Sequence, residues 1–520
     1  MLMEMHPQRW GDPGLAAPLP DATRGLVDMA IGTADTPAVE RVSLPQPGLS
    51  AGLLDSLRGV LGDDAVVADD ETRRLRTRGK STPDLLRARA GDLSDAPDAV
   101  VRPRTHDEVA AVLAWAVMHH VAVVPFGGGT SVAGGLVARR EGYAGVVSLD
   151  LLCLDQLLSV DKISMIATLQ AGVRGPAAEA LLAAQGLTLG HYPQSFEFVS
   201  VGGSAATRSS GQSSCGNGRF DEMVTGLRVA TPIGELRLGS APASAAGPDL
   251  REAVLGSEGT LGVITEVTLR VRPAADVKAY EAWAFPSFTA GAEAVRKLVQ
   301  RELRPTVLRL SDEAETFVNL ASQTNIGGEQ ISGCLLVVGY EGTAALGRRP
   351  EITGALSEFG GSPLSEQRGQ EWAAGRFAAP YLRDAMLDAG VLVETLETAT
   401  FWSNRDRVYQ AVKAALEGAL GERTLVLCHI SHVYETGCAL YFTVATREAA
   451  DPVSQWRAAK AKASDAILDC GATITHHHGV GTDHKPWLAR EVGPVGVVML
   501  RGLKSALDPT GILNPGVLIP

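Results

Sequence analysis

Three adjacent glycines, residues 127–129, lie in a stretch that begins at Pro125, directly after the apolar run 121–124, and they precede two hydroxyl residues. Glycines let a backbone approach its ligand closely, and successive N–H groups can then bind one anion. No lysine follows as in a P-loop, and the third glycine of the Rossmann fingerprint is missing, so ATP and a Rossmann-bound nicotinamide are disfavoured. The stretch predicts a loop that holds a diphosphate through its backbone, and a glycine-rich surface turn is the alternative. The candidate residues are Pro125, Phe126, Gly127, Gly128, Gly129, Thr130 and Ser131.

A second glycine stretch, residues 255–262, leads into an alternating β-branched run at 263–271. Between the two glycine stretches lies a segment rich in glycine and hydroxyl groups, residues 193–211. Two glycine loops imply one large, extended ligand, since each loop can hold only part of it. The alternative for the middle segment is a solvated turn, with Glu197 and Arg208 as surface charges. The candidate ligand contacts are Gln194, Ser195, Phe196, Glu197, Phe198, Val199, Ser200, Thr207, Arg208, Ser209, Ser210, Glu258, Gly259, Thr260, Leu261, Gly262, Val263 and Ile264.

A histidine triplet, His476, His477 and His478, lies further along the chain. Imidazole is the commonest zinc ligand, so a metal cluster is one interpretation. In an extended segment, however, His476 and His478 share one face while His477 points away. We therefore expect no metal site, and we expect the triplet to handle protons or to donate hydrogen bonds to a phosphate.

Hydrophobic periodicity predicts the elements that position these residues. After a strand at 99–102, residues 105–108 match a capping box ahead of an apolar helix, and the strand at 121–124 completes a β-α-β unit. Residues up to about 49 show no sustained period and predict a poorly ordered or loosely packed arm. Other predicted elements are a helical pattern at 53–75, strands at 145–149 and 165–171, a helix at 176–185 ending at Gly186, strands at 335–338 and 425–427, and a helix at 495–507.

Composition narrows the class of protein. The chain has 520 residues and a formal net charge of −12, which argues against sequence-independent binding of nucleic acid. Six scattered cysteines without a CxxC pair are typical of reduced thiols, so we expect a cytoplasmic protein. The longest apolar stretch, 109–118, is too short to span a membrane. The N-terminus lacks the apolar core of a signal peptide, and the C-terminus is not a peroxisomal signal of the Ser-Lys-Leu type.

The order and the amino-acid sequences of the two glycine loops and of the segment between them resemble the FAD-binding domain of vanillyl-alcohol-oxidase-type flavoproteins. From about residue 78 to the C-terminus the chain resembles the alkyldihydroxyacetonephosphate synthase family. This resemblance implies an α+β fold with a PCMH-type FAD-binding domain of two α/β subdomains, a mixed-sheet cap and a helical N-terminal arm. The implied boundaries are 1–92 for the arm and its helices, 93–275 for the FAD-binding domain, 276–485 for the cap or substrate-binding domain, and 486–520 for a C-terminal segment that packs back on the FAD-binding domain.

One comparison separates two branches that share this flavin domain. The metal-dependent 2-hydroxyacid dehydrogenases carry a His-x6-His stretch and a later Gly-Glu-His-Gly whose Glu binds metal. Here the first stretch has His432 and, if a two-residue insertion is allowed, Tyr441 in the place of the second histidine. His477 stands where the glutamate would be. Two metal ligands are thus missing, and the His-His-His-Gly-Val-Gly at 476–481 resembles the synthases instead.

The resemblance also implies roles for single residues. Tyr441 corresponds to the family's acid/base tyrosine, Arg383 to its phosphate-binding arginine, and Arg309 to another arginine needed for activity. The alternatives are a packed strand aromatic for Tyr441, a helix-surface ion pair with Asp384 or Asp388 for Arg383, and a structural ion pair for Arg309. We expect the nearby histidines to supply the positive environment that a phenol needs to act as a base near neutral pH.

The implied reaction is a redox-neutral step of ether-lipid synthesis. The acyl group of acyl-dihydroxyacetone phosphate (acyl-DHAP) is exchanged for a fatty alcohol through an adduct at flavin N5. The alternative is an FAD-linked oxidase or dehydrogenase of a hydroxy acid or alcohol. FAD should be noncovalently bound, because Phe126 stands where related enzymes carry a tethering histidine. We expect these lipid substrates as partners, together with peripheral membrane contact and a homodimer.

Overall fold

The computed structural model describes residues 3–40, 42–318 and 331–520, and its strands form four sheets. The first is a four-stranded sheet whose short outer strand, Val66–Val67, is antiparallel, while the other three strands are parallel. Its strands, in spatial order, are Val66–Val67, Ala99–Val101, Val146–Asp150 and Ala122–Phe126.

The predicted β-α-β unit is confirmed in this sheet. Helix His106–His119 connects strands Ala99–Val101 and Ala122–Phe126, which both pair in parallel with the strand between them. The hydroxyl of Thr105 accepts the N–H of Glu108 at 3.1 Å and so caps the helix. The Glu108 carboxylate accepts the N–H of Arg104 at 2.6 Å, one residue earlier than a capping box requires. The glycine loop begins where Ala122–Phe126 ends.

The second sheet is antiparallel and carries the other glycine loop ahead of one central strand. Helices Gly175–Ala183 and Val201–Thr207 cover it, with Leu182 and Ala205 fully buried in its core. A separate two-stranded antiparallel sheet pairs Leu187–Thr188 with Arg272–Pro273. The five strands, in spatial order, are Leu157–Asp161, Ile166–Gln170, Val263–Arg270, Val224–Thr231 and Gly234–Leu238.

The cap contains a seven-stranded sheet. The sequence predicts a mixed sheet there, but every strand pairing that the structure describes in it is antiparallel. Short apolar runs mark strands without specifying their relative direction, which is why the two arrangements could not be distinguished. The strands, in spatial order, are Ser362–Pro363, Lys278–Phe285, Cys334–Glu341, Val307–Ser311, Thr424–Ile430, Gly437–Arg447 and Val391–Phe401. The helices that share its apolar core include Phe288–Gln300, Arg349–Glu358, Arg405–Leu420 and Pro452–Asp469.

The predicted α+β class is therefore confirmed, with local differences. The helical pattern at 53–75 is two helices separated by strand Val66–Val67, and the C-terminal helix Lys485–Leu507 is kinked at Gly493. No helix among the described residues is long and apolar enough to cross a membrane. The remaining α-helices are Asp21–Ala30, Ala51–Leu61, Asp70–Leu75, Thr82–Arg89, Ser214–Asn217, Phe220–Met223, Leu250–Val254, Glu313–Phe317, Thr343–Gly347, Glu366–Gly375 and Ala379–Asp388, and the 3-10 helices are Pro13–Leu15, Asp63–Ala65, Leu151–Cys153 and Trp402–Asn404.

The N-terminal arm is packed, contrary to the expectation of a loose segment. Trp10 and Ile31 are buried, and the Lys80 ammonium donates to the carbonyl of His6 at 2.5 Å. Arg9 forms an ion pair of 2.7 Å with Asp388 on helix Ala379–Asp388. The arm shows no sustained apolar period, but a handful of long-range contacts are enough to fix it.

Substitution of Asp98 tests how much its hydrogen bonds and ion pair stabilise the parallel sheet. Its buried carboxylate accepts the N–H of Gly48 at 2.7 Å and of Val146 at 2.8 Å, and it pairs with Arg140. Asp98→Ala leaves these donors without a partner, and we expect a loss of about 3–5 kcal/mol in the free energy of unfolding. Urea denaturation followed by circular dichroism measures it, with the exposed Asp63→Ala as the control. Equal midpoints for the two variants would contradict this account.

Candidate active site

One cavity of about 760 Å³ brings both glycine loops together with the predicted reactive residues. The cavity is lined by the two glycine loops, by strands of the cap sheet and by helix Asp21–Ala30 of the arm. The predicted residues that line it are Pro125, Gly127, Gly128, Gly129, Thr130, Ser131, Gln194, Ser195, Val199, Ser200, Thr207, Ser209, Ser210, Glu258, Gly259, Gly262, Val263, Ile264, Arg309, Arg383, Tyr441, His477 and His478.

The first glycine loop has the geometry of an anion cradle. The N–H groups of Gly129, Thr130 and Ser131 make no hydrogen bond within the described part of the chain. A Cβ on Gly128 would lie 1.9 Å from the carbonyl oxygen of Phe198, so the two stretches can approach this closely only with glycine there. The loop therefore fits a diphosphate held by backbone donors, as FAD requires.

Seven of the predicted cofactor contacts, and His476 of the triplet, do not line the cavity. Arg208 instead fixes the second glycine loop, because its guanidinium donates to the Leu255 carbonyl at 3.0 Å and pairs with Glu252 at 2.6 Å. Glu197 accepts the Tyr381 hydroxyl at 3.1 Å. The aromatic members pack against other side chains rather than against the cavity. The seven are Phe126, Phe196, Glu197, Phe198, Arg208, Thr260 and Leu261.

The histidine triplet is organised by one carboxylate that sequence reasoning missed. Glu397, on strand Val391–Phe401, accepts the N–H groups of His476, His477 and His478 at 2.6, 3.1 and 3.0 Å. The hydroxyl of Thr475 adds a fourth donor at 2.5 Å. Burial opposes the charge, but the surrounding imidazoles and donors hold the pKa of Glu397 well below its usual range. The carboxylate is therefore ionised, and the chain bends around it.

This bend makes the expected divergence of the triplet wrong. The rings of His476 and His477 lie 5.2 Å apart, and their Nδ1 atoms are 2.9 Å apart. His432 joins them, and one nitrogen from each of the three lies within 4.8 Å of the others, which is near enough to share a metal ion. The imidazoles also have protein partners: His432 Nδ1 lies 2.7 Å from the hydroxyl of Ser214, and His476 Nε2 lies 2.5 Å from that of Tyr434.

Tyr441 lies at the centre of this group, opposite Glu397 in the strand register. Its ring stacks on His429 with centroids 4.8 Å apart, and those of His477 and His478 follow at 6.0 and 5.5 Å. Burial raises the pKa of Tyr441 to about 12. The expected positive environment is absent, because burial lowers the pKa of His477 and lowers that of His478 to about 3. The site holds a phenol beside neutral imidazoles.

Arg309 and Glu258 are engaged within the protein. Arg309 donates to Glu315 at 2.9 Å, and His429 Nδ1 lies 3.1 Å from both the Arg309 guanidinium and the Glu315 carboxylate, so this ion pair holds the ring on which Tyr441 stacks. Glu258 accepts the N–H of Gly481 at 2.8 Å and joins the second glycine loop to the segment after the triplet. Burial raises the pKa of Glu258 to about 7, although its backbone donors act in the opposite direction.

Arg383 has free donors in the cavity. Its Nη1 donates to the carbonyl of Lys80 at 2.7 Å, but its buried Nε and Nη2 have no hydrogen-bond partner among the described residues. A buried guanidinium without its full set of acceptors is costly, and a bidentate anion would satisfy it. The predicted ion pair with Asp384 is long, at 3.7 Å, and leaves these donors unused.

Sequence reasoning missed Trp10, Lys80 and Glu397. Trp10 and Lys80 also line the cavity, although both lie before the FAD-binding domain. Glu397 could have been noticed as one of two carboxylates, with Glu394, inside a strand of apolar and hydroxyl residues, where a buried charge requires partners. Trp10 gave no signal, because only the tertiary fold brings it to the site.

Comparison with known proteins agrees with this geometry. The family described as FAD binding domain matches residues 97–239, and that described as FAD linked oxidases, C-terminal domain, matches residues 274–518. The alkyldihydroxyacetonephosphate synthase of Trypanosoma brucei brucei is 34% identical over 505 residues, covering 92% of this chain and 82% of that protein. That of Dictyostelium discoideum is 32% identical over 514 residues, covering 94% and 84%. A solved alkyldihydroxyacetonephosphate synthase structure superposes with a TM-score of 0.83 at 27% identity, covering 98% of each chain.

The two family matches show that the chain contains an FAD-binding domain followed by the C-terminal domain of FAD-linked oxidases. The identity to the two synthases extends over both domains and over most of each relative. The chain therefore belongs to the alkyldihydroxyacetonephosphate synthase family.

Proposed function

We propose that this chain exchanges the acyl group of acyl-DHAP for a fatty alcohol, as an FAD-dependent alkylglycerone-phosphate synthase. The observation that carries the proposal is the pair of unpartnered, buried donors on Arg383, which line the same cavity as Tyr441 and both glycine loops. A site for a phosphate dianion beside a flavin cradle favours a phosphate ester over a simple hydroxy acid or alcohol.

The exchange needs no net oxidant. The bond from C1 to the acyl oxygen breaks, the fatty acid leaves as a carboxylate, and a bond from C1 to the alcohol oxygen forms as the alcohol loses its proton. FAD, when bound, supplies the nucleophilic N5 atom of its ring. The protein has to hold the phosphate, exclude water and carry the C1 proton.

The residues around Tyr441 suit the proton step. A phenol with a raised pKa is protonated at neutral pH and can donate, and it can accept the C1 proton only if its own proton moves to a neighbour. The neighbouring imidazoles are weak bases, because burial lowers the pKa of His477 and lowers that of His478 to about 3, so this environment favours proton donation from the phenol. Arg309 acts through His429, by fixing the ring that stacks on Tyr441.

The apolar part of the cavity suits long hydrocarbon chains. Leu425, Leu427 and Ala445 line it from the cap sheet, and Leu26 and Met29 line it from the arm. Met29 is 81% exposed and Leu26 is 48% exposed, so the cavity reaches the surface at an apolar rim. This rim supports peripheral membrane contact as part of the proposal.

Two further features belong to the proposal. The boundary at residue 275 is supported by the sheets, because the second sheet ends with strand Val263–Arg270 and the cap sheet begins with Lys278–Phe285, and the boundaries at 92 and 485 stay predictions. A homodimer stays a prediction, which sedimentation of the purified protein would test.

The main test combines substrates with one variant. We expect the purified protein to convert acyl-DHAP and a fatty alcohol with ping-pong kinetics, and Tyr441→Phe to lower turnover by roughly 10²- to 10⁴-fold, the usual contribution of a positioned acid or base. FAD released by acid should be equal in both proteins, since the ring is kept and the cofactor is noncovalent. Normal turnover by Tyr441→Phe, or dye reduction with glycolate or lactate and no reaction of the phosphate ester, would overturn the proposal in favour of an oxidase or dehydrogenase.

A second test concerns metal at His432, His476 and His477. We expect EDTA to leave the exchange activity intact, because Tyr441 and His477 stand where the metal-dependent dehydrogenases carry metal ligands. Activity after exhaustive dialysis against chelator is the measurement, and metal analysis of the untreated protein is its control. Activity that is lost with EDTA and restored by zinc or manganese would show that the converging imidazoles hold an ion.

A further inference from the structure

Residues 6–12 of the arm contact Lys80 and helix Ala379–Asp388 beside the cavity. The backbone N–H of Trp10 donates to the Asp384 carboxylate at 2.5 Å, next to Arg383 on helix Ala379–Asp388. Gly11 follows in a left-handed conformation, φ 66°, and a Cβ there would lie 2.2 Å from the Tyr381 hydroxyl oxygen. The arm is therefore seated against this helix with no room for a larger residue.

Trp10 presents an unused donor to the cavity. Its side chain lines the cavity, its ring packs edge-on against Phe198 with centroids 5.8 Å apart, and only 4% of the residue is exposed. The indole Nε1 is buried and has no hydrogen-bond partner among the described residues. Buried indole N–H groups normally find an acceptor, and Trp10 lies where a ligand in the cavity can supply one.

Lys80 adds a charge at the same place. Its backbone carbonyl accepts Arg383 Nη1 at 2.7 Å, and its ammonium donates to the carbonyls of His6 at 2.5 Å and Pro7 at 3.3 Å. An ammonium has three hydrogens, so one remains for a ligand in the cavity that Lys80 lines. Burial lowers the pKa of Lys80 to about 8, which leaves it mostly charged at neutral pH.

We propose that the indole N–H of Trp10 and the ammonium of Lys80 bind the phosphate of the substrate together with Arg383, so that the N-terminal arm completes the anion site. This inference rests on the proposed function, because it names further ligands for the phosphate ester. Arg383 supplies two donors, Lys80 one and Trp10 one, and a phosphate dianion has enough acceptor oxygens for all four. Without the arm, the site would lose the indole N–H of Trp10 and the carbonyls of His6 and Pro7 that hold the Lys80 ammonium.

Binding of dihydroxyacetone phosphate to the FAD-loaded protein tests the proposal, with unphosphorylated dihydroxyacetone as the matched ligand. The flavin absorbance spectrum reports the affinity of each. We expect Trp10→Phe, which keeps a ring but removes the N–H, to weaken binding of the phosphate about tenfold, and Lys80→Met to weaken it on the order of 10- to 100-fold. Lys80→Arg should recover most of the loss, because it restores the charge. None of these variants should change the affinity for dihydroxyacetone.

Two control variants show whether a loss is specific to the site. Trp456→Phe removes another buried indole N–H without a partner among the described residues, but in the core of the cap. Lys485→Met removes an ammonium that donates to the carbonyl of Gly516, and neither control residue lines the cavity. Both should bind the phosphate as the unmodified protein does. FAD content and melting temperature of every variant identify any that has lost its fold.

The Arg383→Lys variant distinguishes a failure of the proposed function from a failure of the role proposed for the arm. If the unmodified protein does not prefer the phosphate over dihydroxyacetone, the proposed function itself fails. If it does, and Arg383→Lys weakens binding while folded Trp10→Phe and Lys80→Met bind normally, the role of the arm is overturned and the proposed function stands. If Lys80→Met does not fold, Trp10→Phe and Lys80→Arg decide: normal binding by Trp10→Phe overturns the proposal.

Discussion

The buried carboxylate of Glu397 is the interaction on which the arrangement of the site depends. It holds three consecutive backbone N–H groups and one hydroxyl, so the triplet segment bends around it, and the Nδ1 atoms of His477 and His478 lie 3.6 and 3.9 Å from its oxygens. The same residue lies opposite Tyr441 in the sheet, which sets the distance from the phenol to the imidazoles. One charge, placed by strand pairing, thus brings a loop from the end of the cap to the edge strand of its sheet.

The parts that the sequence predicts well are those governed by local periodicity and backbone chemistry. The β-α-β unit, its Thr105 cap and the glycine loop after it follow from apolar spacing and from the freedom of glycine. The geometry of the triplet was wrong because an extended segment was assumed, whereas a buried carboxylate from a strand some 80 residues earlier bends it. The packed arm was missed for the same reason: its partners, such as Asp388, are hundreds of residues away in the chain.

Charge is divided between two sides of the cavity. Lys80 and Arg383 make one side cationic, while the imidazoles around Tyr441 are kept neutral by burial, with Glu397 compensated by backbone donors. A dianion is attracted to the first side and gains nothing at the second, so binding itself orients a phosphate ester. The carbon that reacts then lies toward the phenol, away from the phosphate.

This division also explains why the imidazoles are useful in their neutral form. A cationic triplet would compete with Arg383 for the phosphate and would have no capacity to accept a proton from Tyr441. A neutral triplet leaves the phosphate to Arg383, and the phenol beside it stays protonated and able to donate, because burial raises the pKa of Tyr441 to about 12. Burial therefore serves two purposes at once: it lowers the pKa of the histidines, and it excludes the water that would otherwise take the place of the alcohol.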